Sequence, residues 1–177
     1  MATIIAFAGS NSSNSINYQL VKHTVSLVEG HDIQLINMSK MPFPMYSADY
    51  EKEHGFSNSL VELKNDINKA SGLILSVNEH NSNPSAFFKN TLDWLSRIDR
   101  NFLNETKVFL MATSPGKGGA KHALKAINDM LPRFGATVTQ TFSLPSFSEH
   151  FDITQRCIVN DFAAKHQEAL KHFIESL

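Results

Sequence analysis

The chain has 177 residues, of which 42% are hydrophobic and 19% charged, and its formal net charge is −1. That length and apolar share describe one folded domain over residues 1–177 with a sizeable core, and exclude a disordered chain. The near-zero charge argues against a nucleic-acid binder and against a strongly acidic carrier that docks on basic partners; no apolar stretch is long enough to span a membrane.

Thr3-Ile4-Ile5-Ala6-Phe7-Ala8 is the first apolar run and predicts a strand. A small polar loop follows, Gly9-Ser10-Asn11-Ser12-Ser13-Asn14-Ser15-Ile16-Asn17. Leu20, Val21, Thr24, Val25 and Val28 then recur on one helical face. Strand, small polar loop, helix is the order that turns backbone N–H groups and a helix N-terminus toward an anion. The hydroxyls and amides of Ser10, Ser12, Ser15 and Asn17 add donors without a fixed charge, which suits a phosphomonoester. No Gly-Lys-Ser/Thr ends the loop, and the later glycines of G-x-G-x-x-G are missing. Taken alone, the loop reads equally as a serine-rich helix cap with no ligand.

Ile33-Gln34-Leu35-Ile36-Asn37-Met38 predicts a second strand. Met41-Pro42-Phe43-Pro44-Met45-Tyr46 is a loop, because of its two prolines. From Ser57 to Lys69, Leu60, Leu63 and Ile67 keep helical spacing. Gly72-Leu73-Ile74-Leu75-Ser76-Val77 predicts a strand buried on both faces. Asn83 and Pro84 read as the cap and first position of a helix carrying Phe87, Phe88, Leu92, Leu95 and Ile98. Val108-Phe109-Leu110-Met111-Ala112 is a fourth strand, followed by a Gly-rich loop and a helix. Ala136-Thr137-Val138-Thr139 begins a fifth strand, and a closing helix is expected from about Ile153. Strands alternating with helices predict an α/β, doubly wound, five-stranded parallel sheet with helices on both faces. Such sheets bind ligands at the carboxyl ends of their strands. Three polar loops fall there, beginning at Gly9, Asn78 and Ser114.

The second loop is Asn78-Glu79-His80-Asn81-Ser82-Asn83, and the third is Ser114-Pro115-Gly116-Lys117-Gly118-Gly119-Ala120. With the three loops in this order, the chain resembles the NADPH-dependent FMN reductases of the flavodoxin-like superfamily, which include azo-dye, quinone and chromate reductases. Gly9, Ser10, Ser15 and Asn17 match the family's first loop. Glu79, Asn81, Lys89, Asn90, Asp93 and Trp94 match the second loop and the run after it; Ser114, Gly116, Gly118 and Gly119 match the third. The resemblance covers nearly the whole chain.

It implies a flavodoxin-like three-layer sandwich that binds FMN. The implied enzyme reduces a small acceptor (flavin, quinone, azo compound or oxidised metal) by hydride transfer from NADPH or NADH. Gly9, Ser10, Ser12, Ser15, Ile16 and Asn17 would hold the phosphate. Asn78, Glu79, His80 and Asn81 would line the ribityl chain and ring, and Ser114, Pro115, Gly116, Lys117 and Gly118 would pass under or beside the flavin. No side chain is assigned a catalytic role and no metal is implied. A homodimer or homotetramer is implied, because relatives often complete the pocket across a subunit interface. The alternatives are a flavodoxin-type electron carrier and a flavin-binding protein without turnover.

Three positions depart from the family. Ser12 stands where an Arg is frequent, so a phosphate counter-charge is missing; Asn78 replaces a proline and His80 a tyrosine. Glu79 is read as structural or solvated, His80 as touching the ring, and Lys89 and Asn90 as bracing the binding loop before them. Lys117 can meet a nucleotide phosphate or simply face water. His23, His31, His54, His122, His150, His166 and His172 lack metal spacing and are assigned to the surface or to satisfied polar sites. The one cysteine, Cys157, is read as structural. Met1-Ala2-Thr3 lacks the basic region of a signal peptide, so a cytoplasmic location is expected.

Overall fold

The computed structural model describes residues 1–177. The chain runs β1 (Thr3–Ala8), α1 (Ile16–Ser26), β2 (Asp32–Ile36), a 3-10 turn (Met38–Lys40), α2 (Ala48–His54), α3 (Asn58–Lys69) and β3 (Gly72–Val77). The short strands β4 (Glu79–His80) and β5 (Asn83–Pro84) precede α4 (Ala86–Ile98) and β6 (Lys107–Thr113). Then come α5 (Lys121–Met130), a second 3-10 turn (Leu131–Phe134), β7 (Thr137–Leu144), α6 (Phe147–His150), β8 (Phe151–Asp152), β9 (Cys157–Ile158) and α7 (Asp161–Glu175).

Five strands form one parallel sheet in the order β2-β1-β3-β6-β7. This is the expected flavodoxin-like order, and it reverses between β1 and β3. The period of two in a strand divides the apolar side chains between two cores. Ile5 and Phe7 of β1, with Leu73 and Leu75 of β3, pack under α3, α4 and α5. Ile4, Ala6 and Ala8, with Ile74, pack under α1 and α7. Both faces are covered, which is why β1, β3 and β6 read as nearly unbroken apolar runs. Ser76 is the polar interruption of β3, and it is fully buried. No helix is long and apolar enough to cross a membrane.

Several boundaries differ from the sequence reading. The second strand stops at Ile36, and Asn37 instead caps the 3-10 turn by accepting the Ser39 N–H at 3.1 Å. Helix α1 ends at Ser26, so Val28 lies beyond it. Asn83 and Pro84 do not open α4. They pair with His80 and Glu79 across a two-residue turn in which Asn81 (φ 51) and Ser82 (φ 61) are both left-handed. The cap of α4 is Ser85, whose Oγ accepts the Phe88 N–H at 3.2 Å. The closing helix starts at Asp161, not near Ile153, which sits 67% exposed in the turn between β8 and β9.

Candidate active site

The carboxyl ends of β1, β3 and β6 open onto one cleft of about 290 Å³. Ser10, Ser12, Ser15, Ile16 and Asn17 line it from the first loop, Asn78, Glu79 and His80 from the second, and Ser114 and Pro115 from the third. Asn14 and Thr113 also line it, and sequence reasoning missed both. Thr113 had a usable signal, since it directly follows the predicted fourth strand, residues 108–112, and ends β6 in the structure. Gly9, Asn81, Gly116, Lys117 and Gly118 do not line the cleft.

The first loop is organised by its own hydroxyls. Ser15 Oγ caps α1 by accepting the Tyr18 N–H at 3.1 Å. Ser10 Oγ accepts the Ser12 N–H, and Ser12 Oγ accepts the Asn14 N–H, each at 3.3 Å. Each hydroxyl uses a lone pair locally, which leaves its proton for another acceptor. The N–H groups of Asn11, Ser13, Ile16 and Asn17 meet no protein acceptor. No Lys or Arg lines the cleft, so nothing replaces the arginine missing at Ser12. An anion here meets neutral donors and the positive end of α1.

Asn17 and Gly9 serve the scaffold. The Asn17 side chain is 2% exposed; its Oδ1 accepts from Ser76 Oγ at 2.7 Å and from the Thr113 N–H at 3.1 Å, and its Nδ2 donates to the Thr113 carbonyl at 3.1 Å. It braces α1 against the ends of β3 and β6, so its amide is not the free anion donor expected from the sequence. Gly9 accepts from Ser85 Oγ at 3.0 Å, and a Cβ at Gly9 would meet the Phe88 ring at 2.6 Å. Its lack of a side chain lets α4 close on β1.

Glu79 lines the cleft, but its carboxylate is engaged by α5. Its Oε2 accepts the N–H groups of His122 and Ala123, both at 2.9 Å. Helix α5 has no side-chain cap of its own, because Ala120 occupies that position. The carboxylate therefore caps α5 from another loop and ties the second loop to the third. His80 is exposed, with Nε2 3.3 Å from Asn78 Nδ2. Asn78 Oδ1 is buried without a hydrogen-bond partner. Such an orphaned acceptor costs about 1–3 kcal/mol unless a donor meets it. In the third loop Gly116, Lys117 and Gly118 are exposed, and a Cβ on either glycine would meet nothing within 4 Å. The constrained glycine is Gly119: its φ is 59°, and a Cβ there would run into Ser143 and Pro145.

The run after the second loop acts elsewhere than expected. Asn90 Nδ2 and Trp94 Nε1 both donate to the Pro44 carbonyl, at 2.9 and 2.8 Å, and Asn90 Oδ1 accepts the Tyr46 N–H at 2.8 Å. They brace the proline-containing loop, not the second loop; Lys89 pairs with Asp93 one turn on. Two histidines also depart from the satisfied polar sites expected of them. Nδ1 of His150 and Nδ1 of His166 are buried and unpartnered.

Comparisons with known proteins bear on the fold and the family. An uncharacterized protein of Mycoplasma pneumoniae is 29% identical over 147 residues, which cover 80% of this chain and 86% of that protein. The quinone reductase of Escherichia coli K12 is 34% identical over 79 residues, 44% of this chain and 42% of that enzyme. The chain thus aligns with under half of that enzyme's length. Among solved structures, the flavoenzyme NAD(P)H:(acceptor) oxidoreductase FerB of Paracoccus denitrificans superposes with a TM-score of 0.76 at 20% identity, covering 99% of this chain and 98% of that one. That likeness confirms the fold. Residues 2–149 match the family described as NADPH-dependent FMN reductase. The chain belongs to that family, as an oxidoreductase that uses FMN and a reduced nicotinamide nucleotide.

Proposed function

We propose that the cleft holds FMN with its phosphate against Ser10, Ser12, Ser15 and the free N–H groups opening α1, and that the acceptor is a quinone or azo compound. The observation that carries this is the donor set. Three hydroxyl protons and several backbone N–H groups converge at a helix N-terminus, beside an unpartnered acceptor on Asn78. A ligand with one phosphate and a chain of hydroxyls satisfies both. FMN held there would supply the redox chemistry, hydride transfer from NADPH or NADH to the acceptor.

The protein's part is binding and orientation. Asn17 fixes the first loop to the strand ends. Glu79 fixes the second loop to α5, so Asn78 and His80 are held at the cleft wall. Ser114 and Pro115 form the third side. The exposed Met45 and the Phe56 ring near Trp94, beside a pocket lined by Phe43, Tyr50 and His54, support a homodimer or homotetramer, which light scattering tests. Cytoplasmic location completes the reading.

Titration of the apo-protein with both flavins tests the assignment. FMN should bind more tightly than FAD, because the first loop is built for one terminal phosphate. Tighter FAD, or no binding of either, overturns it. NAD(P)H oxidation with a quinone then separates the enzyme from an electron carrier.

Ser10→Ala combined with Ser12→Ala leaves the cap at Ser15 in place. It should weaken FMN at least about tenfold, since hydrogen bonds to a charged group are worth roughly 1.5–3 kcal/mol each. Riboflavin, which has no phosphate, should lose little. Equal losses for the two ligands would move the phosphate out of this loop.

His80→Ala separates positioning from proton transfer. If the side chains only orient, turnover at saturating FMN should fall by less than about tenfold. A loss of about 10²–10⁴-fold with FMN affinity intact would make His80 an acid or base.

A further inference from the structure

A second cavity, of about 320 Å³, lies on the flank of α1, between that helix and the turn joining β8 to β9. Its walls are Gln19, Lys22, His23 and Ser26 of the helix and Gln155 and Arg156 of the turn. All six side chains can donate hydrogen bonds, two carry fixed positive charge, and none is apolar or acidic. Neither Lys22 nor Arg156 is paired with a carboxylate. Helix α1 contains no acidic residue. The nearest acid along the turn, Asp152, is turned to its own backbone: its Oδ1 accepts the N–H groups of Thr154 and Gln155 at 2.8 and 2.9 Å.

The floor of the cavity is His23, which is only 9% exposed. Its ring stands edge-on to Phe151 and 5.3 Å from the ring of the buried His166, and it makes no hydrogen bond to another side chain. The ring bonds only the Arg156 backbone, and the cavity gathers donors and two cations, one of them lying over the Tyr18 ring, with no carboxylate among its walls to accept from them.

We propose that this cavity is an anion site, separate from the strand-end cleft, for a small phosphate-bearing molecule. Lys22 and Arg156 supply the charge, and His23, Gln19 and Gln155 supply directed donors. Charge-assisted hydrogen bonds at a partly enclosed site are stronger than their counterparts in open water. The groups facing His23 are Lys22, Arg156, His166 and Phe151, so no carboxylate competes with the ligand. Burial holds the His23 pKa below the ordinary histidine value, while the backbone of Arg156 pulls it upward. A bound anion favours the protonated ring and raises that pKa further.

This inference does not depend on FMN occupying the cleft. The protein is titrated with inorganic phosphate, with and without saturating FMN, while the His23 imidazole resonance is followed by NMR; His23→Gln assigns the signal. Phosphate should bind in both conditions and move the His23 titration to higher pH. K22Q and R156Q should each weaken binding by about tenfold or more. Adenosine 2′-phosphate binding more tightly than inorganic phosphate assigns the site to a nucleotide's phosphoryl group; equal binding assigns it to the free ion. An unmoved His23 resonance, binding that FMN abolishes, or binding unchanged in both charge variants overturns the proposal. The two variants change exposed or half-buried side chains on a surface, and circular dichroism verifies that each is folded.

Discussion

Asn17→Ala should lower the stability of the protein by about 3–5 kcal/mol. The alanine strands three groups at once: the Thr113 N–H, the Thr113 carbonyl and the Ser76 hydroxyl. Thr113 is 1% exposed and Ser76 is fully buried, so water does not easily replace the lost amide. Each stranded buried group costs about 1–3 kcal/mol, and partial relaxation keeps the sum below the arithmetic total. For a chain of this size the melting temperature should fall by about 6–20 °C. Asn17→Asp is the sharper variant. It keeps the acceptor for Ser76 and Thr113 but sets a carboxylate oxygen against the Thr113 carbonyl. It should be no more stable than the alanine variant. FMN affinity should fall in both, because the amide fixes the first loop to the end of the strand that leads into the third. Thermal denaturation and flavin titration check the two effects. A loss under about 1 kcal/mol with unchanged FMN binding would show that Asn17 is not the brace its geometry implies.

The sheet was legible because its inner strands are covered on both faces, so Ile4 to Ala8 and Leu73 to Leu75 read as apolar runs without alternation. Helix α2 was not legible because none of its residues is buried, and a helix that buries nothing leaves no apolar period to read. The hairpin before α4 was hidden by chemistry that imitates a cap. Asn83-Pro84 satisfies the rule for a helix start, yet Ser85 satisfies it two residues later and wins. The positions of the cleft loops followed from the strand ends. Glu79 was read as structural or solvated and proves structural, but the partners that define it and Asn17 did not follow from the sequence. The partners of Asn17 lie 59 and 96 residues away, and those of Glu79 lie 43 and 44 residues away. An amide that braces and an amide that binds a phosphate look alike until those partners are placed. His166 was legible in principle, for it precedes Leu170 and Phe173 at helical spacing on the face that α7 buries.

That buried histidine sets the second large expectation, a loss of stability in mild acid that His166→Gln should remove. His166 is 0% exposed, ringed by Phe109, Phe142 and the His23 imidazole. Thr24 Oγ1 donates to the Leu20 carbonyl at 2.9 Å, so it accepts from His166 Nε2–H at 2.8 Å, which assigns the tautomer. The bare Nδ1 faces no partner. Protonation would place an unsatisfied N–H and a charge in an apolar core. Burial, with the neighbouring His23 adding to it, lowers the His166 pKa from 6.5 to about 3. Above pH 6.5 both folded and unfolded chains carry the neutral ring, and nothing is lost. As the pH falls below 6.5 the unfolded chain binds a proton that the folded chain does not. Stability then declines by about 1.4 kcal/mol per pH unit until the folded value near 3 is reached. Over that window this one group should contribute a loss of about 4–5 kcal/mol. Carboxylates and His23 titrate in the same range, so the informative quantity is the difference between wild type and His166→Gln, whose side chain is neutral throughout. Urea denaturation at intervals between pH 7.5 and 4, about three and a half units in all, should show the wild type losing ground steadily below about pH 6.5. Parallel stability curves for the two proteins would mean that His166 takes up its proton in the folded state.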